Sequence, residues 1–250
     1  MKAGRLKPVG AWTHSKREQK TMIEAGTPQN LHARIHALLR EEVSNNPVSY
    51  NKETPYQSYE RIGFEGLRWS VEKRIREYGL EEFFGENAAI LDIGSNFGFF
   101  VCEFALHCRL SHGIEPNPEL NKIGEITAAH LGISDRVKFH NCLFDDFKSA
   151  ELYDTVFSLA AFFTADGRER ADAGDYFAKI NNLLKPGGRV FYESTSYTKK
   201  AGSGAYSHFT AAETATNAMT KIMSLEREWE TPSGSEGYFR RFAIATAATS

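Results

Sequence analysis

The segment Ala88–Gly98, reading Ala-Ala-Ile-Leu-Asp-Ile-Gly-Ser-Asn-Phe-Gly, constrains the fold of this chain more than any other. A short apolar run ends in an acid and breaks into a turn with two glycines. A new apolar periodicity follows at once, at Phe99, Phe100 and Phe104. That order predicts a buried strand, a tight loop and a helix. In an open α/β sheet a ligand sits at the carboxyl ends of the strands, so this loop is the candidate site. Gly94 and Gly98 would let the backbone turn sharply and approach a ligand with no Cβ in the way. The first turn of the following helix would aim its N–H groups at the same place.

A dinucleotide-binding loop needs G-x-G-x-x-G, whose middle glycine lets the backbone touch a pyrophosphate. Asn96 stands at that middle position, and no third glycine follows Gly98. A phosphate loop ending in Gly-Lys-Ser/Thr is absent as well. With Asp92, Gly94 and Gly98 in place, the segment instead resembles motif I of the class I S-adenosylmethionine-dependent methyltransferases. That motif is often written Asp/Glu-x-Gly-x-Gly-x-Gly, and Asn96 departs from it. The resemblance implies that S-adenosylmethionine is the cofactor and that Asp92, Gly94, Ser95, Asn96 and Gly98 help to hold it.

The chain downstream alternates strand and helix, which argues for a parallel α/β sheet. Strands are expected at Ala89–Ile93, His112–Glu115, Arg136–Cys142 and Tyr153–Ser158, with helices at 98–107, 117–131 and 173–184 between and after them. Glu115 closes the second strand at a distance from Gly94 that suits an acid accepting two hydrogen bonds from ribose hydroxyls. Its alternative role is a helix N-terminal charge. Pro116 follows it. In the resembled family the loop after strand three reads the adenine, which assigns Leu143, Phe144 and Asp145 to that ring, with Ser158 closing strand four nearby. Leu183-Leu-Lys-Pro-Gly-Gly-Arg-Val-Phe-Tyr-Glu gives a helix end, a Pro-Gly-Gly turn and a fifth strand, a unit that also resembles this family. Thr210-Ala-Ala-Glu213 reads as a capping box opening a helix through Met223. Ser224–Trp229 and Tyr238–Thr246 then fit the antiparallel hairpin with which the family's sheet ends. The fold expected is α/β: a Rossmann-like, seven-stranded, mostly parallel sheet with an antiparallel C-terminal hairpin, behind an N-terminal helical cap.

Ahead of the sheet, residues 1–28 form a basic arm, 29–85 a helical cap or lead-in, and 86–250 the cofactor-binding core. Leu31, Ile35, Leu38, Leu39 and Val43 share one helical face over 30–44. A second helix is expected over Gly66–Tyr78, with Leu67, Val71, Ile75 and Tyr78 inward. Arg68, Trp69 and Arg74 lie on it just upstream of the sheet. There Trp69 and Arg74 could close over the cofactor, an arginine meeting a carboxylate; the plainer alternative is a surface arginine and a core tryptophan.

The net charge of −2 hides an asymmetry, because residues 1–20 carry six basic side chains against Glu18 alone, leaving −7 on the remainder. A basic arm suits nucleic acid or an acidic surface, or is simply a solvated terminus. No apolar run reaches the roughly 18 residues of a membrane span, and no apolar leader is visible at the N-terminus. Cys102, Cys108 and Cys142 are odd in number, and with His107 and His112 they match no zinc spacing. Reduced thiols in a cytoplasmic protein without a bound metal are expected.

The sulfonium of S-adenosylmethionine already activates its methyl group, so the chemistry needs in-line placement of a nucleophile and, for a hydroxyl, a base. After strand four, Ser158-Leu-Ala-Ala lacks the Asp/Asn-Pro-Pro-Tyr of enzymes that methylate amino groups of nucleobases or glutamine. No Pro-Cys nucleophile for cytosine is present either. Elimination leaves a small-molecule or glycan acceptor. The aromatic, arginine-bearing segment 50–78 resembles the leading segments of small-molecule and saccharide methyltransferases, and O-methylation of a polar small molecule, sugar or glycan is the leading reading. His208, Glu193 and Asp166 are the candidate catalytic residues: His208 as a base on a Gly-rich lid or as an ordinary loop histidine, Glu193 at the end of strand five. Two competing readings are an RNA methyltransferase using the basic arm and a non-catalytic S-adenosylmethionine-binding module.

Overall fold

β1 (Gly85–Ile93) lies inside the sheet, paired in parallel with β2 (Cys108–Ile114) on one side and β4 (Tyr153–Leu159) on the other. The computed structural model describes residues 28–163, 172–234 and 236–248. All but the last residue of the basic arm, and Asp166, therefore lie outside the described residues. β2 pairs in parallel with β3 (Val137–His140), and β4 with β5 (Leu184–Glu193). Beyond β5 the direction reverses. β8 (Tyr238–Thr246) runs antiparallel to β5 and carries β7 (Ser224–Pro232) on its far edge. A two-residue strand, β6 (Tyr197–Thr198), pairs with the start of β8 past the end of β5. The order is thus β3-β2-β1-β4-β5-β8, with β7 outermost. The α/β fold is the Rossmann-like one the sequence implies, and β6 brings the described strands to eight rather than seven.

Helices cover both faces. On one face α1 (Pro28–Asn45), α2 (Val71–Tyr78), α3 (Phe99–Ala105) and α4 (Pro118–Leu131) share a core with Ile90, Phe157, Phe191 and Phe242. On the other, α5 (Ala173–Leu183) and α6 (Tyr206–Ile222) pack on Ala89, Leu91, Val156 and Val190. The period of two along β1, which sends Ile90 one way and Ala89 and Leu91 the other, sorts the strand's apolar run between two cores. Leu31, Ile35 and Leu39 of α1 belong to the same core as the sheet residues. The N-terminal helices are therefore packed onto the sheet by apolar burial.

Two local expectations change. The helix expected from Gly66 begins only after Ser70, whose hydroxyl accepts the N–H of Lys73 as N-cap. Residues 66–68 are instead tied to the loop before them, with the N–H groups of Leu67 and Arg68 donating to the carbonyls of Pro55 and Tyr56. Gly66 is obligatory there, because a Cβ would sit 2.3 Å from the Gln57 carbonyl oxygen. Exposure alternates along this stretch: Leu67 and Trp69 face solvent, and Arg68 is turned inward. The second change concerns Thr210. α6 starts four residues earlier, at Tyr206, without a side-chain cap, so the capping-box pattern lies inside a helix already formed. His208 consequently occupies the first turn of a helix rather than a lid.

Candidate active site

The motif I loop runs from the end of β1 to α3 in three left-handed steps: Gly94 at φ 71°, Asn96 at φ 53° and Gly98 at φ 70°. Asparagine is among the few residues that tolerate this region. Asn96 adapts to it by accepting the Phe97 N–H at 3.0 Å on its own Oδ1. Its backbone N–H donates to Glu115 Oε2 at 3.1 Å. The departure from the usual glycine is thus accommodated by the local chemistry of that side chain. Gly98 has a different task from the one its place in the motif suggests. A Cβ there would lie 2.4 Å from the Phe139 ring and 3.1 Å from Gly124 Cα, so this glycine lets α3 dock against β3 and α4 rather than letting backbone approach a ligand.

A cavity of about 840 Å³ opens above this loop, across the carboxyl ends of β2, β1, β4 and β5. That size belongs to small-molecule clefts, roughly 300–1,000 Å³. Its acidic end is built on Glu115, 9% exposed, whose second oxygen accepts the Asn117 N–H at 2.9 Å. Each oxygen of an ionised carboxylate takes more than one donor, which is the chemistry a diol requires. Pro116, Asn117, Leu120 and Leu143 line the wall beside it. Glu42 of α1 reaches the same wall, buried and accepting from Asn46, Asn51 and Asn117. It ties the cap segment to the loop after β2.

In the middle stands Asp92, 2% exposed, with Oδ1 lacking any hydrogen-bond partner. Burial pushes its pKa up to about 8; Arg74 opposes this, while Glu115 and Glu193 add to it. A buried polar atom without a partner is costly, and a ligand with donors or positive charge would relieve it. S-adenosylmethionine carries both. Asp92, the Glu115 carboxylate and the apolar wall therefore fit that cofactor, on features of this chain alone.

The far end is basic. Glu193, at the end of β5, is wholly buried and receives Arg74 Nη2 at 2.9 Å, Arg240 Nη1 at 2.9 Å, Arg68 Nη2 at 3.5 Å and the Tyr78 hydroxyl at 3.3 Å. Burial would raise its pKa, but Arg74, Arg240 and Arg68 outweigh burial and hold it below the usual carboxylate range. All three arginines line the cavity, together with Tyr56, Thr195 and His208, whereas Glu193 lies beneath them. Ala160, on the wall after β4, is held at φ 59° by its N–H bond to the Glu193 carbonyl at 2.8 Å. Strain of that kind gathers at functional sites.

Of the residues singled out in the sequence, Asp92, Gly94, Asn96, Glu115, Pro116, Leu143, Arg74 and His208 meet on this one cavity. Others stand elsewhere. Ser95 is buried beneath the loop against Gly113. Phe144 is buried against Tyr176, and Ser158 shares a 2.8 Å hydrogen bond with the same tyrosine hydroxyl. Asp145 is exposed, its carbonyl accepting from Lys179. Trp69 is 54% exposed with Lys73 Nζ 4.0 Å from its ring centre, because the alternation at 67–69 turns it outward. Glu193 is occupied by its arginines and organises them; it does not face the cleft as a base. Arg240 and Glu42 carry no sequence signal strong enough to single them out. The nearest to one is the Arg240–Arg241 pair inside an otherwise apolar strand, which period two must send to opposite faces.

Residues 91–192, from motif I to the end of β5, match the family described as "Methyltransferase domain". No curated protein sequence matches the chain. Among solved structures, the N-methyltransferase NodS from Bradyrhizobium japonicum WM9 in complex with S-adenosyl-L-homocysteine is similar at 15% identity. That match covers 86% of this chain and 98% of that one, with a TM-score of 0.57. The [4+2]-cyclase SpnF is similar at 14% identity over 90% and 97%, TM-score 0.61. The geranyl diphosphate C-methyltransferase from Streptomyces coelicolor A3(2) is similar at 14% over 71% and 81%, TM-score 0.56. At these identities the likeness is one of fold.

Two substitutions test the cofactor end. Glu115→Ala is expected to weaken S-adenosylhomocysteine binding by roughly 1.5–3 kcal/mol through loss of charged hydrogen bonds; unchanged affinity in calorimetry would remove Glu115 from the ribose. Asp92 titrates higher in the native state than in the unfolded chain, so the native state holds a proton the unfolded chain has lost. Stability should then fall as pH rises from about 4 toward 8. Asp92→Asn is accordingly expected to raise the melting temperature of ligand-free protein at pH 8 by a few degrees while weakening S-adenosylhomocysteine about tenfold; a lower melting temperature at pH 8 would contradict this.

The family match spans the very strands whose ends form this cleft, and the cleft fits the cofactor that motif I implies: residues 91–192 carry a methyltransferase domain, and the site above it suits S-adenosylmethionine.

Proposed function

We propose that the enzyme methylates an oxygen of a polar small molecule, sugar or glycan by direct in-line transfer, in the cytoplasm, with His208 receiving the proton of the acceptor hydroxyl. One observation carries this reading: an imidazole on the cavity wall that is already oriented as a base. His208 Nδ1 lies 3.1 Å from the Ser196 carbonyl. A carbonyl only accepts, so Nδ1 carries a proton, and in the neutral ring the lone pair is on Nε2. The ring also sits edge-on to Phe163, centroids 5.0 Å apart, which fixes its plane. The cofactor supplies a methyl group on a positively charged sulfur, whose departure needs no acid. What the chain adds is alignment of the acceptor and a place for its proton.

The mouth of the cavity supports a small acceptor with both polar and apolar faces. Tyr50 and Tyr56 form a tilted pair there, centroids 5.8 Å apart, beside the polar groups of Gln57, Asn51 and Thr195. Similar folds include proteins named as N- and C-methyltransferases, so the fold does not select the atom; His208 is the reason for choosing oxygen. No helix of the described residues is long and apolar enough to cross a membrane. The RNA reading rests on basic residues of the arm outside the described part.

The test is transfer of labelled methyl from S-adenosylmethionine to a panel of hydroxylated and amino compounds. The product of the best acceptor is expected to carry an O-methyl resonance. His208→Gln should lower kcat by about 10²–10³ with S-adenosylhomocysteine affinity unchanged. A label found on nitrogen or carbon would overturn the choice of oxygen, and an unaltered kcat would remove His208 as the base.

A further inference from the structure

We infer that the acceptor carries an acid group, a carboxylate or a phosphate, which Arg68 and Arg240 bind beside the transferred methyl. This deepens the reading above and rests on it.

The argument begins with charge. Three guanidinium groups converge on the single carboxylate of Glu193, and all three face the cavity while Glu193 does not. Two positive charges are thus left over in a largely desolvated corner. The arginine side chains are only 20%, 6% and 13% exposed for Arg68, Arg74 and Arg240. Burying charge without a partner is strongly unfavourable, so an uncompensated cluster lining a cleft is a built anion site.

The donors point the same way. Each guanidinium has five N–H groups in a planar fork suited to carboxylate or phosphate. Arg74 Nε is buried and has no hydrogen-bond partner. Arg68 uses one amine on the Tyr56 hydroxyl at 2.9 Å and another on Glu193. Arg240 is held by Ser233, Glu193 and the Ser194 carbonyl. Both forks are thereby fixed in orientation with capacity remaining.

Position along the cleft separates two anions. Arg74 stands close enough to Asp92 to lower that group's pKa, next to the motif I loop, and suits the carboxylate of the cofactor's amino-acid part. Arg68 and Arg240 approach from the cap and from β8, at the end of β5. With the strand order β2-β1-β4-β5, the ends of β2 and β5 lie three strand spacings apart, about 14 Å. The arginines of the β5 end thus sit with Tyr56, Thr195 and His208 on the side of the cavity away from the ribose.

The experiment loads the full chain with S-adenosylhomocysteine, which fills the cofactor's own carboxylate position, and then titrates malonate or inorganic phosphate by calorimetry. One saturable anion site with a low-millimolar Kd is expected. Arg68→Gln and Arg240→Gln should each weaken it about tenfold or more, with S-adenosylhomocysteine affinity changed less than about twofold. A preference for malonate assigns a carboxylate, and the reverse a phosphate. Melting curves check that the variants fold. Arg68, with the longest contact to Glu193, is the substitution the core should tolerate if Arg240→Gln does not fold. Absence of saturable anion binding in the loaded wild-type protein overturns the proposal. So does anion binding that appears only without S-adenosylhomocysteine, because the arginines would then serve the cofactor. Failure of S-adenosylhomocysteine itself to bind would instead overturn the reading beneath it.

Discussion

The carboxylate of Glu193 joins three parts of the chain that sequence places far apart. Arg68, Arg74 and Tyr78 come from the lead-in, Arg240 from the last strand, and the carboxylate itself ends β5. β5 alone would end in a buried acid, which is untenable without cations. The lead-in alone would carry arginines over an apolar sheet face. Each requirement meets the other, and the joint closes the cap over the strand ends. Removing one partner of such a buried group typically costs about 3–5 kcal/mol, because the charge left behind has nowhere to go. The cap's position over the cleft therefore depends on this joint as much as on the apolar contacts of α1.

The same joint gives the cleft its polarity. Glu115 and Glu42 stand at the β2 end, a protonatable Asp92 in the middle, and a surplus of guanidinium at the β5 end. A cofactor with a diol at one end, a cationic centre and a carboxylate matches that order of charges. His208 stands in the wall of the same cavity as the basic end, and its bond to the Ser196 carbonyl fixes which nitrogen is basic. α6 positions it: the helix starts at Tyr206, so the imidazole sits in a turn braced against Phe163 rather than on a loose loop.

Much of this was legible from residue order. The apolar run into Asp92 and the glycines after it mark the strand, the turn and the start of the helix, because these are local features, and Glu115 closes the next strand on the same cavity. The alternation of strands and helices gave the parallel sheet for the same reason. What lay hidden was tertiary. Gly98 looks like a ligand-facing glycine, yet its missing Cβ makes room for Phe139 of another strand. Leu67 fits a helical face in sequence, yet hydrogen bonds to residues 55 and 56 hold the stretch outside the helix, with Leu67 exposed and Arg68 turned inward instead. Arg240 has no local reason to be noticed; its partner is 47 residues away. Glu193 looked like a base because it ends a strand at the cleft, and only the packing shows it fully engaged from below.

The central claim is that nucleoside and acceptor lie in one cleft, the first held by Glu115 and the second facing His208 and the outer arginines. A crystal structure of the S-adenosylhomocysteine complex tests it most directly. Both ribose hydroxyls are expected on the Glu115 carboxylate, with the sulfur opening toward His208 and the side chains of Arg68 and Arg240 still reaching open cavity. A nucleoside bound away from Glu115, or a homocysteine carboxylate occupying Arg68 and Arg240, would contradict the account.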